Sequence, residues 1–67
     1  MAIKESDIEF EGGDFWVLRV GTGHYEVLER RNTHSVKVST FHFRTQAAYA
    51  LSRAITDCQR RDRLKGN

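Results

Sequence analysis

The chain has 67 residues, a formal net charge of +2 and one cysteine, so an internal disulfide is excluded and a reducing compartment is expected. A chain of this length buries only about 60% of its unfolded surface, which predicts one small domain over residues 1–67 and little volume for an enclosed catalytic pocket. The first residues lack the apolar core of a signal peptide and no window reaches about 18 apolar residues, so we expect a cytoplasmic protein without a membrane span.

The first two thirds of the chain contain short runs of apolar and aromatic residues cut by glycine pairs and polar turns, which predicts β-strands. The predicted strands are Ile8–Glu11, Phe15–Val20, Tyr25–Arg30 and Ser35–Phe43. Ile8–Glu11 alternates apolar and acidic residues, as edge strands do, and it is the weakest of the four. Connections of about three or four residues join neighbouring antiparallel strands, so the strands should form a meander.

The last third of the chain predicts one long helix. From Thr45 to about Leu64 there is no Gly and no Pro, and Thr45 is a suitable N-cap residue. Apolar residues recur at spacings of three and four and form one stripe, which consists of Ala47, Ala50, Leu51, Ala54, Ile55 and Cys58. The order of strands followed by a helix predicts an α+β fold: a three- to four-stranded antiparallel meander with a C-terminal helix on one sheet face, βββα or ββββα.

One helix covers one face of a sheet, yet the predicted strands are apolar on both faces. In the second strand, Phe15 and Val17 share one face, whereas Trp16, Leu18 and Val20 share the other. The last strand is ambiguous in the same way unless a β-bulge restores its alternation. The sequence does not decide which face meets the helix. An uncovered apolar face would favour self-association, so a homodimer is the expected partner state.

The candidate protein interface consists of Phe15, Val17, Tyr49 and Arg53. The first two represent the uncovered sheet face, and the last two are a neighbouring Tyr and Arg on the side of the helix away from Leu51. The charge is unevenly distributed, since residues 1–14 carry one basic and five acidic residues, whereas residues 44–67 carry six basic and two acidic residues. Segments of opposite charge would attract each other within one molecule or between two.

Motifs for catalysis or cofactor binding are weak. The potential metal ligands lack the short paired spacing of zinc sites; they are His24, His34, His42 and Cys58. Gly21-Thr22-Gly23 leads into a strand and not into a helix, so we interpret it as a hairpin turn and not as a phosphate-binding loop. Cys58 belongs to the apolar stripe and is interpreted as a core residue. We expect a protein that is not an enzyme and has no metal and no cofactor.

The alternative function is nucleic-acid binding through the polar hairpin before the last strand and the basic end of the helix, because such side chains contact base edges and phosphates. The candidate contact residues are Arg30, Arg31, Asn32, His34, Lys37, Arg60, Arg61 and Arg63. The order of strands followed by a helix is broadly similar to that of the three-stranded sheet domains of plant AP2-type factors and some phage integrase arms. That architectural resemblance implies DNA reading by the outer sheet face.

Acidic residues in the strands and their turns argue against this alternative, because they would repel phosphates from much of the sheet. They are Glu9, Glu11, Asp14, Glu26 and Glu29. The sequence therefore favours a small protein-interaction module that self-associates, of the size and simplicity expected of a bacterial or phage accessory protein.

Overall fold

The computed structural model describes residues 7–66, so the predicted domain over residues 1–67 extends beyond the described part at both ends. The elements are β1 (Ile8–Glu11), β2 (Phe15–Gly21), β3 (His24–Arg30), β4 (Ser35–His42) and α1 (Ala47–Gly66). The strands form one antiparallel sheet in the order β1-β2-β3-β4, with α1 packed on it. The predicted ββββα fold is confirmed, and the first strand is formed. No helix within residues 7–66 has the length and apolar character needed to cross a membrane.

The helix begins at Ala47, one residue later than an N-cap at Thr45 predicts. The carbonyl of Gln46 accepts a hydrogen bond from the amide of Ala50 at 3.0 Å, which makes Gln46 the N-cap residue. The amide of Gln46 in turn donates to the carbonyl of Phe43 at 3.0 Å, so a tight turn occupies the residues before the helix. The prediction that Thr45 caps the helix is therefore wrong. Thr45 lies within this turn, one residue before the N-cap position.

The core lies between α1 and the sheet face that carries Phe15 and Val17. Buried residues from β2 and β3 meet the small buried residues of the helix; the cluster is Phe15, Val17, Tyr25, Val27, Ala50, Ala54 and Cys58. The three helix residues have short side chains, so the helix axis can approach the sheet closely. The predicted stripe is confirmed at its centre, while Leu51 and Ile55 are only partly buried at its margin.

A β-bulge resolves the ambiguity of the last strand. The register between β3 and β4 shifts at Val27 and Leu28, whose partners are Ser39 and Lys37, so Val38 is an extra residue in β4. Val38 and Phe41 both pack against the core. They are three positions apart, so a regular strand would point them to opposite faces. The bulge therefore turns both side chains towards the helix.

The two ends of the sheet are held by different contacts. At one end, which we call the helix-start end, the amide of Phe43 donates to the carbonyl of Gly23 at 2.9 Å, which ties the chain before α1 to the β2–β3 turn. At the other end, which we call the hairpin end, the carboxylate of Asp62 accepts hydrogen bonds from Gly13 and Asp14 in the β1–β2 turn. The helix therefore spans the sheet from one end to the other.

Candidate functional surfaces

The sheet face opposite α1, which we call the outer face, is apolar at its centre. Trp16 and Leu28 are cross-strand partners on this face, and Ile8 is the partner of Leu18 beside them. Val20, further along β2, lies at an irregularity in the register and has no partner in β3, because the pairs pass from Arg19 with Tyr25 directly to Gly21 with His24. Ile8, Trp16, Leu18 and Leu28 form the apolar part of the outer face, and none of them belongs to the core beneath the helix.

This arrangement corrects part of the predicted interface. Phe15 is 6% exposed and Val17 is fully buried, because both point towards α1 and pack in the core. Neither residue is available to a partner. The alternation of β2 is as expected, but the helix covers the face that the prediction had left open. Tyr49 and Arg53, the other two predicted interface residues, are exposed on the helix.

The apolar residues of the outer face differ in how accessible they are. Ile8 and Leu18 are partly buried. Trp16 and Leu28 are more than nine-tenths buried, and the indole Nε1 of Trp16 has no hydrogen-bond partner within the described part of the chain. The accessible apolar area on this face therefore comes mainly from the two aliphatic side chains of Ile8 and Leu18.

Polar side chains surround this apolar centre. The guanidinium of Arg30 donates to the carboxylate of Glu11 at 2.8 Å, on the same face as Trp16. The ammonium of Lys37 lies 3.8 Å from the carboxylate of Glu26 at the β4 side. Both pairs are at least partly exposed. The outer face thus has an apolar centre and a rim that carries both signs of charge, as protein interfaces do.

Both edges of the sheet are poor templates for an added strand. β1 has four residues, an irregular register after Ile8 and exposed acidic residues at Glu9 and Glu11. β4 carries the bulge at Val38 and an exposed Lys37. Charges and bulges on edge strands prevent edge-to-edge pairing. The edges of this sheet are therefore unsuited to the addition of a further strand.

The cations of the β3–β4 hairpin are largely neutralised. Arg31 lies 2.7 Å from the carboxylate of Glu29, which also accepts a hydrogen bond from Lys65 near the end of α1. The hydrogen bond from Lys65 is the main cause that lowers the pKa of Glu29, and Arg31 adds to it, whereas burial opposes it. Asn32 and His34 are exposed in the hairpin. Little unpaired positive charge remains at this position.

The cations near the end of the helix are paired in the same way. Arg60 and Arg61 both donate to the carboxylate of Asp57, at 3.0 Å and 2.7 Å. Arg63 is exposed, and among residues 7–66 no acidic side chain pairs with it. The predicted nucleic-acid residues therefore do not converge on one basic surface, because they separate into groups around Glu11, Glu26, Glu29 and Asp57.

The helix also forms a groove with β4, which we call the β4 groove. It has a volume of about 160 Å³ and is lined by Phe41, Arg53, Thr56, Asp57 and Arg60. Next to it, Tyr49 packs edge-to-face on Phe43 with ring centroids 5.1 Å apart. Phe41, Phe43 and Thr56 were not among the site residues predicted from the sequence. The spacing from Tyr49 through Arg53 to Thr56 and Arg60 was a usable signal, because it places one helix stripe beside β4.

The potential metal ligands are dispersed. His24 and His42 stack across β3 and β4 with ring centroids 4.4 Å apart, while His34 lies in the hairpin. Within residues 7–66, no group of three or more ligating side chains is arranged to hold a metal ion. Cys58 is fully buried, and burial together with Asp62 and Asp57 raises the pKa of its thiol to about 11. A thiol in this environment is a structural residue and not a nucleophile.

Comparisons with protein-family models, with curated proteins and with solved structures found no match. The surfaces themselves therefore supply the arguments about function. Two of them are notable: the outer face with its apolar centre and charged rim, and the β4 groove with its aromatic rings and arginines.

Proposed function

We propose that this chain is a small, non-enzymatic, cytoplasmic protein-interaction module that forms a homodimer through the outer face. The observation that supports this proposal best is that four apolar residues share the face opposite α1; they are Ile8, Trp16, Leu18 and Leu28. A chain of 67 residues gains stability when a second copy shields such a face from water.

The rim of the outer face fits a second copy of the same chain. It carries Arg30 with Glu11 and Lys37 with Glu26, so each subunit offers both signs of charge around the apolar centre. In a two-fold arrangement the same patch meets itself, and a patch with both signs can be complementary to its own copy. The rim pairs would set the orientation of the subunits more than the affinity.

The expected dimer is of modest affinity. Trp16 and Leu28 are already buried in the subunit, so they form the floor of the interface and add little newly buried area. Ile8 and Leu18, which are partly buried, supply the accessible apolar surface. Interfaces of small area dissociate readily, so we expect monomer and dimer to exchange at about micromolar concentration.

Sedimentation of the wild-type chain and two matched variants tests this proposal. Leu18→Glu places a charge on the outer face at a partly buried residue, while Leu64→Glu places the same charge on α1 at a residue that is 69% exposed; circular dichroism checks that both variants fold. We expect the wild type and Leu64→Glu to show concentration-dependent dimers at about micromolar concentration, and folded Leu18→Glu to remain monomeric. A strictly monomeric wild type, or equal dimerisation of the two variants, would contradict the proposal.

A further inference from the structure

The β4 groove combines aromatic rings with arginines in a way that no other described surface does within residues 7–66. Phe43 is 38% exposed and Tyr49 is 48% exposed, and their rings pack edge-to-face. Phe41 lines the groove beside them. Exposed aromatic rings of this kind cost free energy in water unless a partner covers them, so these rings point to a ligand that offers flat apolar surface.

The charges of the groove are positive on balance. Arg53 is exposed, and within the described residues it has no ion-pair partner. Asp57 is the acidic residue that lines the groove, and it is held by Arg60 and Arg61. A ligand in the groove therefore meets more positive than negative charge.

The groove is also elongated. Tyr49, Arg53, Thr56 and Arg60 follow one another at spacings of four, three and four residues, which places them on one stripe of α1 beside β4. At 1.5 Å per residue this stripe extends over about 16 Å. An extended, unpaired polymer can follow such a stripe, whereas a cavity of about 160 Å³ is too small to admit a duplex.

We propose that the β4 groove binds single-stranded nucleic acid. Bases stack on the exposed rings of Tyr49 and Phe43, and the side chain of Arg53 contacts the phosphates. Base stacking on aromatic rings combined with cations along the backbone is the general means by which proteins bind unpaired strands without reading their sequence. This site is independent of the proposed dimer interface, since it lies on the helix side of the sheet.

The test measures fluorescence anisotropy of a labelled oligothymidine of about 15 nucleotides at low and moderate salt. We expect binding to the wild-type chain that weakens as salt increases. Tyr49→Ala should weaken binding at least about tenfold, whereas Tyr49→Phe, which keeps the ring, should stay within about twofold. Tyr49 is half exposed, so both variants are expected to fold, and circular dichroism melting checks this.

Two arginine variants separate the groove from overall charge. Arg53→Ala should weaken binding about fivefold. It should also reduce the slope of log affinity against log salt concentration by the amount that corresponds to about one phosphate contact. Arg31→Ala removes the same charge at the hairpin end and should change binding by less than about twofold. Equal effects of the two arginine variants, equal effects of the two Tyr49 variants, or no binding at low salt would overturn the proposal.

A competition experiment distinguishes nucleic acid from an acidic polypeptide. Unlabelled oligothymidine should displace the labelled strand, while polyglutamate at equal charge concentration should displace it at least about tenfold less well, because it has no bases to stack. Equally strong competition by polyglutamate would mean that the groove takes an acidic chain, and it would overturn the assignment to single-stranded nucleic acid.

Discussion

The carboxylate of Asp62 accepts a hydrogen bond from the amide of Asp14 at 2.8 Å, across 48 residues of sequence. The same carboxylate accepts from the amide of Gly13 at 3.0 Å. A side chain at Gly12 would collide with this carboxylate, so the turn can approach the helix only because glycine is there. The carboxylate of Asp62 thus attaches the last turns of α1 to the β1–β2 turn, because it accepts hydrogen bonds from two backbone N–H groups.

Replacing Asp62 tests this attachment. Asp62→Ala removes the acceptor of both amides, and we expect a loss of about 1–2 kcal/mol in the free energy of unfolding, since the exposed amides regain water. Asp62→Asn keeps one carbonyl oxygen and should lose less. Urea denaturation at neutral pH gives both values. Arg63→Ala, at an exposed neighbouring residue, is the control and should be near wild type.

The two glycines of the β2–β3 turn differ in what they require. Gly23 has a φ of 64°, and a Cβ there would collide with the carbonyl of Phe43. Gly21 has nothing within 4 Å of the position of its missing Cβ. We expect Gly23→Ala to reduce the free energy of unfolding by at least about 1–2 kcal/mol, and Gly21→Ala to change it by less than about 0.5 kcal/mol. Similar melting temperatures for both variants would contradict this assignment.

The environment of Glu29 predicts how stability depends on pH. Lys65 and Arg31 lower the pKa of Glu29 below its ordinary value of 4.5, so the folded state binds this proton less tightly than the unfolded state. The stabilising contribution is complete above pH 4.5 and is lost as the pH falls through the lower, folded-state value. We expect the difference in melting temperature between wild type and Glu29→Gln to be constant near neutral pH and to shrink below pH 4.5. A difference that does not vary with pH would mean that the ion pairs do not form in solution.

Cys58 should be unreactive in the folded protein. Its side chain is fully buried, and a pKa raised from 9.0 to about 11 leaves about a hundredfold less thiolate at mildly alkaline pH. Without denaturant, we expect a thiol reagent such as dithionitrobenzoate to react with Cys58 only as fast as the chain unfolds. In urea, the same reaction should be rapid. Rapid reaction of the native chain would show that the helix does not cover this residue.

The strands and the helix were predictable because their signals are local. Glycine pairs and polar turns bound each strand, and the three-four spacing of Ala50, Ala54 and Cys58 marks the buried stripe of α1. The bulge at Val38 was an open alternative, because the sequence of β4 alone does not show which residue is unpaired. The helix start was misplaced at Thr45, since the turn from Phe43 to Gln46 depends on contacts with the β2–β3 turn.

The candidate surfaces were less predictable than the fold. Tyr49 and Arg53 could be placed on an exposed helix side from their spacing alone, but Phe15 and Val17 were assigned to the wrong face. Arg30 looked available in the sequence because its acidic partner, Glu11, is 19 residues away. The partners of Arg31 and Arg61 are only two and four residues away, but the sequence does not show that these pairs form.

The sequence by itself determined the element order, the antiparallel connections and the apolar stripe of the helix, because each follows from residues close together in the chain. Only the tertiary structure decided that Phe15 and Val17 lie beneath the helix while Trp16 and Leu28 lie on the outer face. Both faces of β2 are apolar, so the choice depends on the bulge in β4 and on the attachment of Asp62, which are long-range contacts that no local pattern encodes.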